Sequence, residues 1–294
     1  MKICCFGSLN IDMVFTVDEF VRPGETIQSR GLALYAGGKG LNQAMAIRKS
    51  GVQVLMAGSV GPDGGLLLKE CDEHGLDRSQ VRTLEITSGK AVIQVNRHGE
   101  NCIILHDGAN FENDTSFMDE VLGELEAGDY LVLQNEINDL DHLIRAAREK
   151  GILTFLNPSP MDQELMALPL EELHCLILNE GEGAALSGGA SPKESMRILR
   201  EKYPDTDIVL TLGSAGVLHA TPEGGRVLPA YRVEATDTTG AGDAFTGYYI
   251  GLTSLGYGRE EALDLAQRAA AISVTRQGAS QSIPYLREVL DCKV

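Results

Sequence analysis

The chain has 294 residues, of which 43% are hydrophobic and 23% charged, a composition typical of globular rather than disordered proteins. Its 25 Lys and Arg against 42 Asp and Glu give a formal net charge of −17. This charge excludes a nucleic-acid-binding or anionic-membrane surface, because both require clustered positive charge. No apolar run approaches the roughly 20 residues that span a bilayer, and no export signal is recognisable. We therefore expect a cytoplasmic protein.

Short apolar segments alternate along the chain with longer amphipathic ones. The predicted strands comprise residues 3–6, 52–56, 131–133, 152–156, 175–178 and 208–212. The predicted helices comprise residues 42–49, 66–73, 140–150, 192–201 and 260–275. This alternation indicates βαβ units and an α/β fold with a mostly parallel sheet.

Two regions interrupt this alternation and favour extended ribbon. Residues 13–17 and 91–105 carry strand-like patterns, the second with a turn near residues 98–100. They predict an antiparallel flap added to the main sheet. No linker, repeat or low-complexity tract divides the chain, so we expect a single domain over residues 1–294.

The strongest chemical signal is Asp-Thr-Thr-Gly-Ala-Gly-Asp at residues 237–243. Gly240 and Gly242 permit a tight turn at the start of a helix, where converging N–H groups and the helix dipole bind an anion. Asp243 would lie beside that anion, where a carboxylate can act as the base that deprotonates an attacking hydroxyl. The alternative is that Asp243 only caps a helix.

Two earlier segments suggest a polyhydroxylated ligand. In Gly-Gly-Lys-Gly-Leu-Asn at residues 37–42, Lys39 and Asn42 share one face of a starting helix. Asn10 and Asp12 follow the first strand and project to the same side of extended chain. An amide beside a carboxylate suits hydroxyls, which both donate and accept hydrogen bonds. Plain turns would explain either segment alone.

Two further segments lie where α/β proteins place ligand groups, at the carboxyl ends of strands. Residues 179–182 can place carboxylates near hydrated Mg²⁺, and residues 211–216 offer a hydroxyl and flexible amides to a nucleotide. A helix N-terminus and a hairpin turn are the alternative interpretations. Neither G-x-x-x-x-G-K-[ST] nor a G-x-G-x-x-G after the first strand occurs, which argues against a P-loop enzyme and a dinucleotide dehydrogenase.

In this order, the segments resemble the ribokinase-like (PfkB) carbohydrate kinases over nearly the whole chain. The matching segments are residues 7–12, 23–26, 37–44, 99–101, 108–110, 157–158, 179–182, 211–216, 237–243 and 274–279. The resemblance implies a three-layer α/β/α fold with a small β-lid formed by residues of about 11–34 and 89–108. It also implies ATP-dependent phosphorylation of the primary hydroxyl of a small sugar, most specifically of D-ribose to D-ribose 5-phosphate.

The resemblance also assigns residues to roles. Catalysis would involve Asp243 as base and an anion hole formed by Gly240, Ala241 and Gly242. The sugar would contact Asn10, Asp12, Gly38, Lys39, Gly40, Asn42 and Glu136. The nucleotide would contact Asn179, Glu182, Thr211, Gly213, Ser214, Gly216, Gly242 and Gln267. An activating K⁺ would lie among Asp237, Thr239, Ser273, Arg276, Gly278 and Ser282, and Mg²⁺ would reach Glu182 through water.

Some positions depart from the family pattern. Gln267 stands where Asn or His is common near the adenine, and Lys90 enters the β-lid where a small or apolar residue is usual. The competing hypotheses are a kinase of the same family acting on deoxyribose, fructose or a nucleoside, and a non-catalytic sugar- or nucleotide-binding regulator. The family implies as partners only ATP and a small sugar, and a homodimer through the β-lid.

Overall fold

The computed structural model describes residues 1–221 and 224–292 and contains two β-sheets flanked by helices. The strands are β1 (Ile3–Phe6), β2 (Asn10–Thr16), β3 (Gly31–Gly37), β4 (Leu55–Val60), β5 (Asp77–Thr83), β6 (Gly89–Val95), β7 (Asn101–His106), β8 (Tyr130–Gln134), β9 (Leu153–Asn157), β10 (Cys175–Asn179), β11 (Asp207–Thr211), β12 (Val217–Thr221) and β13 (Gly224–Leu228). The α-helices are α1 (Lys39–Lys49), α2 (Gly65–His74), α3 (Thr115–Gly123), α4 (Leu140–Glu149), α5 (Glu180–Ser187), α6 (Pro192–Lys202), α7 (Ala241–Ser254), α8 (Arg259–Ser273) and α9 (Leu286–Asp291).

The main sheet has nine strands in the order β13-β12-β11-β10-β9-β8-β1-β4-β5. Neighbouring strands pair in parallel from β5 through β11, and the described pairings of β12 with β11 and with β13 are antiparallel. The predicted α/β class and mostly parallel sheet are confirmed. One predicted strand is misplaced: residues 52–54 connect α1 to the sheet, and β4 begins only at Leu55.

Two hydrophobic cores lie on opposite faces of this sheet, which makes the architecture a three-layer α/β/α sandwich. Alternation along β1 places Ile3 and Cys5 in the core beneath α1, α7 and α8, whereas Cys4 and Phe6 face α3 and α4. Parallel strands covered on both faces must be apolar throughout, which explains the unbroken apolar runs in the sequence. None of the described helices combines the length and hydropathy needed to cross a membrane.

The second sheet has four strands in the order β3-β2-β6-β7. It corrects the expected antiparallel flap, because it is separate from the main sheet and its two central strands, β2 and β6, pair in parallel. Its outer pairs are antiparallel. The sheet therefore consists of two antiparallel pairs, β2 with β3 and β6 with β7, which lie side by side and are joined by the parallel pairing of β2 and β6. Of the expected β-lid ranges, residues 11–16, 31–34, 89–95 and 101–106 lie in this sheet, and residues 17–30 form the connection between β2 and β3.

Candidate active site

Glycines allow the end of β1 to approach the start of α1 very closely. Gly38 precedes α1 with a φ of 94°, a conformation that favours glycine. A Cβ on Gly40 would lie 2.5 Å from the carbonyl carbon of Gly7 and from the nitrogen of Ser8. The Leu41 N–H donates to the Ser8 carbonyl over 3.0 Å. The glycine-rich segment therefore holds the first turn of α1 against the strand end that leads to Asn10.

Asp243 lies in the first turn of α7, directly after the Gly-Ala-Gly turn. Gly240 caps this helix with a φ of 73°, and the first N–H groups of a helix have no partner within it. Such groups can bind an anion together with the helix dipole, although the Ala241 N–H already donates to the Thr238 carbonyl over 3.3 Å. The Asp243 side chain is buried, and its Oδ2 accepts a hydrogen bond of 3.0 Å from Asn42 Nδ2. The structure thus joins α1 to the proposed base.

Three carboxylates and one ammonium group share this site. The Ser8 hydroxyl donates to Glu136 Oε2, which also accepts from the Lys39 N–H over 3.2 Å. Burial, together with the charges of Glu136 and Asp243, raises the pKa of Asp12 to about 7. Burial also raises the pKa of Glu136. Burial lowers the pKa of Lys39, but nearby carboxylates raise it by more, so the ammonium form is favoured.

The polar groups of the expected sugar site converge at this point. Asn10 and Asp12 lie on β2, and Asn110 Nδ2 donates to Asn10 Oδ1 over 2.7 Å. Asn42 Oδ1 is buried and has no hydrogen-bond partner among the described residues. A buried acceptor without a partner is costly, and a ligand hydroxyl would satisfy it. The site therefore offers both donors and acceptors to a polyhydroxylated molecule.

A cavity of about 580 Å³ adjoins the Gly-Ala-Gly turn. Of the residues expected to contact the nucleotide, those lining the cavity are Thr211, Gly213, Ser214, Gly216, Gly242 and Gln267. Phe245, Val233, Val274 and Tyr231 supply much of its apolar wall. Gln267 Nε2 is buried without a partner in the described chain, which leaves a donor available beside an apolar cavity. Such a cavity fits a planar base with a few polar atoms.

Asn179 and Glu182 do not line this cavity. They form a capping box at the start of α5, in which Asn179 Oδ1 accepts from the Glu182 N–H and Glu182 Oε2 accepts from the Asn179 N–H, each over 2.9 Å. The segment is thus a helix N-terminus, and the roles of Asn179 and Glu182 towards the nucleotide and Mg²⁺ stay predictions. Capping occupies one oxygen of the buried Glu182 carboxylate, and the pKa of Lys39 responds to the Glu182 charge.

The residues expected around K⁺ lie on two loops joined by one carboxylate. Asp237 Oδ1 accepts from the Thr239 N–H over 2.9 Å, and Oδ2 accepts from the Gly278 N–H over 3.0 Å. The hydroxyls of Ser273 and Ser282 donate to backbone carbonyls, and the Arg276 side chain pairs with Glu288. Backbone, hydroxyl and carboxylate oxygens are the hard donors that would suit an alkali cation, and Arg276 would contribute its backbone carbonyl because its side chain is itself a cation.

The donor set for Mg²⁺ is sparse. Within residues 1–221 and 224–292, no group of three or more His, Cys, Asp or Glu side chains could hold a metal ion. Glu182 would hold Mg²⁺ through a water molecule, and the ion would take its other ligands from phosphate oxygens and water.

Lys90 lies outside the sugar site. It is paired with Ile11 across β2 and β6, between Gly89 and Ala91, whose partners are Asn10 and Asp12. Strand alternation therefore turns Lys90 to the opposite face, where its Nζ lies 3.0 Å from Asp63 Oδ2. The departure from the family pattern at Lys90 therefore places no charge among the residues expected to contact the sugar.

Sequence reasoning assigned no role to several residues that hold the site together. They are Ser8, Gln43, Asn110, Gln134 and Tyr231. Gln43 directly follows Asn42, and Asn110 ends a segment already recognised as family-like, so those two carried a signal. The sequence gives no comparable signal for Gln134, because this side chain reaches the site only through the pairing of β8 with β1.

The model of the pfkB family of carbohydrate kinases matches residues 1–286. The chain belongs to this family. It is 31% identical to a ribokinase of Haemophilus influenzae over 97% of this chain and 96% of that protein. It is also 31% identical to a deoxyribokinase of Salmonella typhimurium over 98% and 97% of the two chains.

Solved ribokinase structures share the fold over nearly the whole chain. The ribokinase of Cryptococcus neoformans, crystallised with ADP, gives a TM-score of 0.87 at 34% identity, covering 99% of both chains. The ribokinase of Arabidopsis thaliana, in complex with ribose and ATP, gives a TM-score of 0.86 at 27% identity, covering 98% of this chain and 97% of that one. The chain is therefore a sugar kinase with the ribokinase fold, as the sequence predicts.

The raised pKa of Asp12 predicts a pH-dependent stability for this kinase. The pKa is about 7 in the folded protein against 3.8 without the surrounding structure, so protonated Asp12 favours folding. This contribution is complete below about pH 4 and is lost as pH rises towards 7. We expect Asp12→Asn, which stays neutral, to gain about 3 kcal/mol over wild type between pH 4.5 and 8.

Urea unfolding of both proteins at the two pH values measures this difference. The other ionisable groups titrate in both proteins, so their contributions to the free energy of unfolding largely cancel in the difference between wild type and variant. A wild-type-minus-variant difference that is the same at both pH values would contradict the raised pKa.

Proposed function

We propose that this enzyme transfers the terminal phosphoryl group of ATP to the primary hydroxyl of D-ribose, forming D-ribose 5-phosphate and ADP. One observation carries the proposal: the buried Asp243 carboxylate lies between two different sites. On one side it is bonded to Asn42 within the polar cluster, and on the other it follows Gly242, which lines the cavity. A base at that junction can reach a hydroxyl that faces a phosphate.

In the proposed reaction, Asp243 accepts the proton of the sugar hydroxyl as its oxygen bonds to the terminal phosphorus. The bond between this phosphorus and the bridging oxygen breaks, and ADP leaves with the electron pair. The N–H groups at the start of α7 stabilise the charge on the transferring group. Bound Mg²⁺ would neutralise phosphate charge. With a net charge of −17, the protein as a whole repels the nucleotide, so these local groups must bind it.

Ribose is the acceptor that the relatives favour, and deoxyribose is the specific rival because a deoxyribokinase is equally similar. A coupled ADP-release assay with ribose, deoxyribose, fructose and a nucleoside distinguishes them. We expect the highest kcat/KM with D-ribose. A higher kcat/KM with another acceptor would identify that acceptor as the substrate. No turnover with any of the four acceptors would support the hypothesis of a non-catalytic regulator.

We also propose activation by K⁺ at the two loops joined by Asp237. A cation bound there lies next to the Gly-Ala-Gly turn, because Gly240 packs against Ala279. We expect kcat to be several-fold higher in KCl than in NaCl at equal ionic strength. Asp237→Ala should abolish this difference by releasing one loop from the other. Equal rates in the two salts for wild type would contradict K⁺ activation.

We further propose that the second sheet covers the sugar as a β-lid and forms a homodimer. Its outer strands expose large apolar side chains, with Leu34 54% and Ile104 62% exposed. An apolar surface of this kind marks an interaction site. We expect wild type to elute as a dimer and Ile104→Glu to shift towards monomer in light scattering. Leu255→Glu, at an exposed apolar residue after α7, should leave the mass unchanged; monomeric wild type would contradict the dimer.

The six cysteines are unpaired. Free thiols suit a reducing compartment, and we propose a cytoplasmic location on this basis. Fractionation of the native cell would test it, and recovery outside the cytoplasm would contradict it.

A further inference from the structure

Two buried glutamines connect Asp243 to the centre of the main sheet. Gln134 ends β8, and its Nε2 donates to Gln43 Oε1 over 2.9 Å. Gln43 Nε2 in turn donates to Asp243 Oδ1 over 3.0 Å. Both glutamine side chains are completely buried. The three side chains form a hydrogen-bonded chain that begins in the interior and ends at the buried Asp243 carboxylate.

The order of these hydrogen bonds fixes which way the Gln43 amide faces. Because Gln43 Oε1 accepts from Gln134, its NH₂ group must face Asp243. The same nitrogen lies 3.4 Å from Asn157 Oδ1, so a second acceptor favours the same orientation. Asn42 holds the other carboxylate oxygen. Two consecutive residues of α1 thus each donate to one oxygen of Asp243.

We propose that Gln43, oriented by Gln134, is a positioning residue that sets the basicity and aim of Asp243. The inference rests on the proposed role of Asp243 as the base. A neutral donor stabilises the ionised carboxylate by a hydrogen bond, and it also holds the side chain in one rotamer. The lone pair that is not engaged by amides then has a fixed direction towards the sugar hydroxyl.

Other ionisable groups also face Asp243. Lys39 on α1 is attractive, and Asp12 on β2 and Glu136 after β8 are repulsive. Cys5 on β1 is a neutral thiol, since burial raises its pKa to about 12. Substitutions at Gln43 leave these groups in place, so a change in the pH profile reports on the amide itself.

The test is the pH dependence of kcat at saturating sugar and nucleotide. Gln43→Met has a similar size but no donor, and we expect kcat to fall about tenfold and the acidic limb to move up by about one pH unit. Both KM values should stay within about twofold. Gln43→Glu places a like charge beside Asp243 and should move the limb further upward. Ser195→Ala removes a buried hydroxyl that has no hydrogen-bond partner among the described residues, and this control should keep the wild-type pH profile.

A double-substitution cycle tests the role of Gln134. Gln134→Met should move the limb in the same direction by less, and combining it with Gln43→Met should add little, because both act through one hydrogen bond to Asp243. Additive effects would overturn the role of Gln134.

If both Gln43 variants lose kcat but keep the acidic limb of wild type, the proposed role of Gln43 is overturned. The loss of kcat would then come from altered packing alone. The assignment of Asp243 as the base would be contradicted by a different result, near-normal turnover of Asp243→Asn. Failure of the Gln43 proposal and failure of the base assignment are therefore distinguishable.

Discussion

Asp243→Asn is expected to lower kcat by a factor of about 100 or more, while ADP still binds. The amide cannot accept the proton of the sugar hydroxyl. It also conflicts with its surroundings, because Asn42 and Gln43 each donate to one carboxylate oxygen and the new NH₂ must face one of them. The coupled ADP-release assay measures turnover, and calorimetric titration measures ADP binding.

A control carboxylate lies far from the site. Asp119 is exposed and its Oδ1 lies 2.8 Å from His142 Nε2, so Asp119→Asn should keep wild-type turnover. Turnover of Asp243→Asn within tenfold of wild type would show that another group accepts the proton. Loss of both turnover and ADP binding would instead indicate that the variant is misfolded, which thermal unfolding would detect.

Gly40→Ala is expected to lower kcat/KM for the sugar by a factor of about 100, with a loss of stability of about 1–3 kcal/mol. The new Cβ would lie 2.5 Å from backbone atoms of Gly7 and Ser8, which have no rotamer that could relieve the clash. The first turn of α1 must therefore move away from β1. Because α1 carries Asn42, this movement of about an ångström separates it from Asp243.

Gly65→Ala is the matched control for this substitution. Gly65 lies in the first turn of α2, and a Cβ there would meet no atom within 4 Å. We expect unchanged activity and equal or slightly higher stability, since alanine is the better helix former. Steady-state kinetics and urea unfolding measure both effects. Equal behaviour of the two alanine variants would contradict a role for close approach at Gly40.

The order of elements was largely predictable because it depends on local patterns. Buried parallel strands are apolar throughout, so β1, β8, β9, β10 and β11 were recognisable from short apolar runs. The ends of α1 and α4 were predictable because each helix has basic residues in its last turn and a glycine shortly after it. The start of α1 was placed three residues late, at residue 42, because the first turn is glycine-rich and its contacts with Ser8 are distant in sequence.

The sequence by itself determined the family, the α/β class and the chemical character of the site. Asp243 and its glycines stand next to one another, so the anion turn and the adjacent carboxylate could be read from seven residues. Local conformational preference is sufficient for such a feature, since a tight glycine turn before a helix needs no distant partner.

Only the tertiary structure decided which side chains act on Asp243 and which do not. Gln43 and Gln134 are 91 residues apart, and Gln43 and Asp243 are 200 apart, yet hydrogen bonds connect all three. Lys90 was recognisable only as a departure from the family pattern in the β-lid, and the sheet register shows that its side chain turns to Asp63. The physical reason is that burial and sheet register determine which polar groups meet, and both arise only when distant segments pack together.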